Sequence, residues 1–157
     1  MDKLEALRTV VDEILRNQSD KEQSRCGFVH LYGVATLSSL LAVKRGLNAH
    51  LSATAGMLHD ISSYRTGDSA DHARRSSMEA RSIMSALGCF TQEEISIVCK
   101  AILNHSNKDQ IHDTYDEVLK DADVLQHYLY NTSLAVIEKE KKRLVNVLAE
   151  CDIVLQL

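Results

Sequence analysis

The sequence predicts an all-α bundle of about six to eight helices. Apolar residues recur at helical spacing along nearly the whole chain, and no stretch shows the apolar–polar alternation of a half-buried strand. No proline interrupts the pattern, so long helices are permitted. The 157 residues suit a single domain spanning 1–157. A chain of this length buries about 70% of its unfolded surface, so it needs neither disulfide nor metal to form a core. With five Tyr, two Phe and no Trp, aliphatic side chains must fill that core.

The elements follow in order. Leu4, Leu7, Val11 and Ile14 mark one face of a first helix. Ser19 and Glu22 have the spacing of a capping box that opens a second helix. That helix carries Val29, Leu37, Leu40 and Leu41 and ends near Gly46, a C′ glycine. Asn48 caps a short helix, AHLSATAGMLHDI, whose lack of a polar face predicts burial on all sides. Residues 62–71, SSYRTGDSAD, read as a loop. A helix follows from about His72 to Leu87, closed by Gly88. Thr91 and Glu94 form another capping box, opening a helix to about Asn104. Residues 105–113 are a polar connection, and Thr114 with Glu117 reads as the next cap. In the last helix, Leu134, Ile137, Leu144 and Leu148 fall at near-heptad spacing, and the run EKEKKR reads as a solvated face. The apolar faces of the first and last helices fit packing onto their own domain, with a homodimer as the alternative.

The net charge of −4 argues against a polymeric nucleic-acid partner, which a basic face would hold. It leaves a small nucleotide open, because metal ions can supply positive charge locally. Cys26, Cys89, Cys99 and Cys151 form no C-x-x-C pair, so the expectation is four reduced thiols rather than a thiolate zinc site. The amphipathic, acidic start lacks the blocks of a signal peptide, and no run of 18 apolar residues occurs. A cytoplasmic protein without a membrane partner is therefore expected.

Seven histidines carry the chemical signal: His30, His50, His59, His72, His105, His112 and His127. His59 and Asp60 are adjacent at the end of the buried apolar segment. A charged Asp beside a His at that depth is costly unless something pairs with it, and a divalent metal is the usual compensation. Neighbouring helical positions point about 100° apart, so both reach one metal only where the helix ends.

His30, the doublet His59-Asp60, and Asp123 in KDADVLQHY reproduce in order the H…HD…D signature, and the sequence resembles the HD-domain metal-dependent phosphohydrolases over roughly residues 24–130. His72 and His105 extend the match to members that hold two metals. The resemblance implies an HD helical bundle in which His30, His59, Asp60, His72, His105 and Asp123 bind one or two divalent ions, drawn from Fe, Mn, Co, Ni, Zn or Mg, with Asp60 as bridge. It also implies hydrolysis of a nucleotide or other small phosphate ester by metal-activated water. Mixed-valence di-iron oxygenases on this fold, resembling myo-inositol oxygenase, use the same ligand order, so an oxygenase is the alternative; a non-catalytic metal-binding signalling module is the third.

Cations to stabilise charge follow from helix phase: Arg75 at i+3 from His72 and Lys120 at i−3 from Asp123 are the catalytic candidates beside Asp60. Arg65 and Lys108, in connections after ligand-bearing segments, join them as substrate-binding candidates. His127, at i+4 from Asp123, either orients that carboxylate or is an exposed histidine. One departure matters. Many two-metal phosphodiesterases of the family read HDIGK, with a substrate-binding lysine; here the string is HDISS, with Ser63 at that place and no GYP motif. This argues against cyclic-dinucleotide cleavage, and Arg65 is the candidate substitute.

Overall fold

A computed structural model describes residues 2–154. Its elements are α1 (Lys3–Arg16), α2 (Lys21–Lys44), α3 (Ala49–Leu58), α4 (Ile61–Thr66), α5 (His72–Leu87), α6 (Gln92–Asn104), α7 (Thr114–Tyr130) and α8 (Glu138–Glu150). No strand occurs among the described residues.

The caps explain the boundaries. Asn48 accepts the amides of His50 and Leu51 and opens α3. Thr91 and Glu94 form the capping box of α6. Gly46, at φ +69°, ends α2 in the left-handed conformation that costs glycine nothing. Three starts differ from the sequence expectation. Asp20, not Ser19, caps α2 by accepting the amides of Glu22 and Gln23. α7 begins at Thr114 behind Asp113, and Glu117 instead accepts the amide of His112. α8 begins only at Glu138, so Leu134 and Ile137 precede it and are exposed. The expected loop over 62–71 begins as the short helix α4, closed by Gly67 at φ +71°.

α2 is the central helix, packed most extensively against α3 and α7, while α5 packs on α6. By length and composition α2 is apolar enough to cross a bilayer, which the absence of an 18-residue apolar run had not anticipated; here it is the bundle's axis. Its inward stripe is Leu31, Val34, Ala35, Ser38, Leu41 and Ala42, whereas Val29 and Leu40 face outward. Every residue of α3 from Leu51 to Leu58 is buried. Fully burying each Leu or Ile contributes about 2 kcal/mol. Leu7, Val11, Ile14, Leu144 and Leu148 join the same core, so the apolar faces of α1 and α8 are spent on their own fold.

The α2–α3 crossing sets the site. A Cβ on Gly56 would lie 2.6 Å from Ala35 Cα and 2.7 Å from its nitrogen, so only glycine permits this approach. The two backbones cannot yield as a flexible side chain would. Gly56→Ala is therefore expected to cost about 3 kcal/mol or more, read as a lower thermal midpoint. It should also weaken cation binding, because His30 and His59 stand on the two helices it separates. A variant as stable as the parent would contradict this packing.

Candidate metal centre

His30 comes from the middle of α2. His59 caps the C-terminus of α3, and Asp60 follows at the break before α4, with φ −117° and ψ 16°. That break lets adjacent side chains face one point. His72 is the first residue of α5, after Asp71 turns the chain at φ +49°, a left-handed region that Asp tolerates. His105 caps the end of α6, and Asp123 projects from α7.

All six converge. His30 Nε2 and His59 Nε2 are 3.0 Å apart. Asp60 Oδ2 lies 3.5 Å from His30 Nε2 and 3.4 Å from His59 Nε2. Asp123 Oδ1 lies 3.5 and 3.7 Å from the same two nitrogens. The other Asp60 oxygen, Oδ1, faces His72 Nε2 at 3.6 Å and His105 Nε2 at 3.3 Å. Asp60 thus stands between two groups of donors, one oxygen toward each.

The donor set fits a pair of divalent cations. Four donors about 2.1 Å from a shared cation in a tetrahedral arrangement sit about 3.4 Å apart. Each imidazole is turned by its other nitrogen: Nδ1–H donates to Gln126 Oε1 in His30, to Gly56 O in His59, to Ile102 O in His105 and to Ser69 O in His72. That fixes the tautomer and aims the Nε2 lone pair inward. The decisive atoms are Asp60 Oδ1 and Asp123 Oδ1, both buried with no hydrogen-bond partner. A buried anionic oxygen without a donor costs several kcal/mol, and a cation is the partner this geometry offers. The two groups are unequal. The first has four protein donors, the second three, and His72 Nε2 already accepts from the Ser106 hydroxyl at 3.0 Å.

Charge follows the geometry. Burial alone would raise the Asp60 carboxyl, but His59, His105 and His30 outweigh it and hold the group well below the usual carboxylate range. For Asp123, burial is likewise outweighed, chiefly by Lys108 and His59. Burial works against a charged His30, yet Asp60 and Asp123 prevail and raise it.

A family model, HD domain, matches residues 27–128. The chain belongs to the HD domain family. No curated protein and no solved structure matches it. The HD family is typically one of metal-dependent phosphohydrolases and generally binds divalent metals, and the clustered His and Asp residues of this member are placed to hold them.

The cations anticipated around the HD cluster are distributed differently. Lys108 does reach it, but its Nζ donates to Asp123 Oδ2 rather than lining the open cavity. Lys120 does not approach Asp123. Its fully buried ammonium donates to Gln110 O and Glu117 and meets His112 Nδ1 at 2.6 Å. Helical phase fixes where a Cβ points, not where a four-carbon stem ends. Arg75 turns away from the imidazoles to Asp68, Ala70 O and Thr66, bracing the turn before α5. Arg65 pairs with Glu79.

Several groups went unread in the sequence. A cavity of about 360 Å³ opens over His30 and Asp60, walled by Arg25, Tyr64, His127 and Tyr130. Arg25 lies N-terminal to the first ligand, where no motif directed attention. Burial pushes the Tyr64 phenol up, so it stays a neutral donor. His127 stacks on His30 at 5.4 Å, with Nε2 3.4 Å from Asp123 Oδ1 and Nδ1 3.2 Å from Glu140 Oε2. The i+4 spacing already offers it as a partner of Asp123 or as an exposed histidine; it lies beside that carboxylate with its side chain 41% exposed, and what the sequence does not show is its place in the cavity wall. Glu140 and Arg143 of the EKEKKR run, expected in solvent, turn inward, with Glu140 buried.

Proposed function

We propose that this HD-domain protein is a cytoplasmic metal-dependent phosphohydrolase acting on a small phosphate ester, with a nucleotide as the favoured substrate class. The observation that carries the reading is Asp60, with one carboxylate oxygen directed at each of two groups of histidine nitrogens. Divalent cations held there by His30, His59, Asp60 and Asp123, and by Asp60, His72 and His105, supply Lewis acidity and an activated water. No side-chain nucleophile is required.

The residues of the chain do the rest. Lys108 neutralises Asp123 from the side away from the cavity. Arg25, paired with Glu22 by Nε and Nη2, is the cation at the cavity wall, and the Tyr64 phenol is a donor there, so Tyr64 is available to phosphoryl oxygens and Arg25 would share its charge between Glu22 and the ester. His127, held by Glu140, lines the same cavity and would face an ester bound there. The cavity's size suits a small ester rather than a polymer.

The test is turnover of a panel of phosphomonoesters, diesters and nucleotides by protein loaded in turn with Mn²⁺, Fe²⁺, Co²⁺, Ni²⁺ and Mg²⁺. Hydrolysis that persists without dioxygen and with redox-inert Mg²⁺ is expected. No release of phosphate or alcohol from any pair would remove the reading.

A further inference from the structure

α8 lies outside the span that the HD domain model matches, yet one of its side chains grips the connection that feeds the metal cluster. Arg143 uses all five of its N–H donors. Nε and Nη2 donate to Lys108 O at 3.1 and 3.0 Å, and Nη2 also to Gln110 O at 3.3 Å. Nη1 donates to Glu117 Oε2 and Asp121 Oδ1, both at 2.7 Å. The guanidinium fork is thus fully satisfied and only 12% exposed.

We propose that Arg143 is a positioning residue of the metal centre: by clamping the Lys108 carbonyl it sets the Lys108 ammonium against the outer oxygen of Asp123. Residues 105–113 form no regular helix; the Lys108 amide donates to Ser106 O, and its carbonyl is held by Arg143. A lysine stem is long and flexible, and its ammonium is placed only as well as its Cα is held. With Asp123 Oδ2 taken by Lys108, Oδ1 is left facing His30 and His59. The chain of effect runs from α8 through a main-chain carbonyl to a ligand carboxylate. It rests on reading the cluster as a metal centre.

Arg45 supplies the control. It ties Asp121 to Glu150 on the same side of the bundle without touching the 105–113 connection. Mn²⁺ affinity of the full chain, measured by calorimetry, and the thermal midpoint separate the two roles. R143K keeps the charge opposite Glu117 and Asp121, and so the fold, but an ammonium cannot reach both carbonyls as well. It is expected to weaken the tighter Mn²⁺ site about tenfold, and R143Q at least as much. K108M is expected to weaken the site too, and adding R143K to K108M should cost nothing further, because the two act in series. R45Q should lower the midpoint and leave affinity unchanged. If the parent binds Mn²⁺ but R143K matches it, or the R143K and K108M losses add, or R45Q weakens binding as much, Arg143 is structural only and the inference falls. If the parent binds no Mn²⁺, the metal-centre reading itself fails.

Discussion

Asp60→Asn is expected to abolish retention of the second cation, weaken the first, and lower phosphate-ester turnover about a thousandfold. The size follows from losing metal stabilisation of the reacting phosphoryl group, worth several kcal/mol. Asn keeps the shape but offers one neutral oxygen in place of two anionic ones, and only one group of donors can use it. The metal-free fold should survive, because the exchange removes a buried charge that no hydrogen bond satisfies at Oδ1. Metal content by elemental analysis, together with steady-state rates, checks this. Undiminished turnover in D60N would mean that chemistry occurs elsewhere.

Adding a divalent cation at about a thousand times its dissociation constant should stabilise the protein by about 4 kcal/mol, raising the midpoint by roughly 8–16 °C. The effect should depend on pH in opposite senses with and without metal. In the metal-free protein, His30 is raised, burial being outweighed by Asp60 and Asp123, and His127 is raised first by Glu140. Groups raised on folding stabilise fully below their unfolded value near 6.5, and that contribution fades as pH climbs through the folded value. Asp60 and Asp123 are depressed, so their contribution is present above 3.8 and is lost as pH falls through the folded values. Metal-free protein should therefore be most stable between about pH 4 and 6.5 and weaken toward pH 8. Cation binding requires deprotonated imidazoles, so the increment from metal should grow over that same rise. Melting curves in chelator and in Mn²⁺ at several pH values test both slopes. A metal increment that shrinks from pH 6 to 8 would contradict imidazole ligation.

The helical architecture was legible because its signals are local. Asn48, Thr91 with Glu94, and Gly46 act within one turn of themselves, and each marks the boundary the structure has. The buried face of α1 follows from periodicity, and the all-round burial of α3 from its lack of a polar face. α4 was not legible: six mostly polar residues are too short for a period, and Gly67 alone marks their end. The six residues brought together at the cluster were readable because His and Asp side chains are short, so the placement of the Cα nearly fixes the donor atom. Lys120, Arg75 and Arg65 were misplaced for the converse reason. Their charges sit at the ends of long stems and settle wherever a carbonyl or carboxylate waits, as Gln110 O, Asp68 and Glu79 do. Arg143 and Glu140 were hidden in a charge run whose inward members only tertiary packing identifies.

Three of the four imidazoles that face Asp60 are aimed by main-chain carbonyls, those of Gly56, Ser69 and Ile102. A carbonyl persists through every amino-acid exchange at its position, so genetic drift around His59, His72 and His105 leaves their aim intact as long as the helix ends stay in place. His30 is different, because Gln126 is a side chain that one codon can replace. Among the four imidazoles, His30 is therefore the one whose Nδ1 partner selection can exchange. It lies on the four-donor group, so an exchange at position 126 re-aims His30 without disturbing the carbonyls that hold His59, His72 and His105.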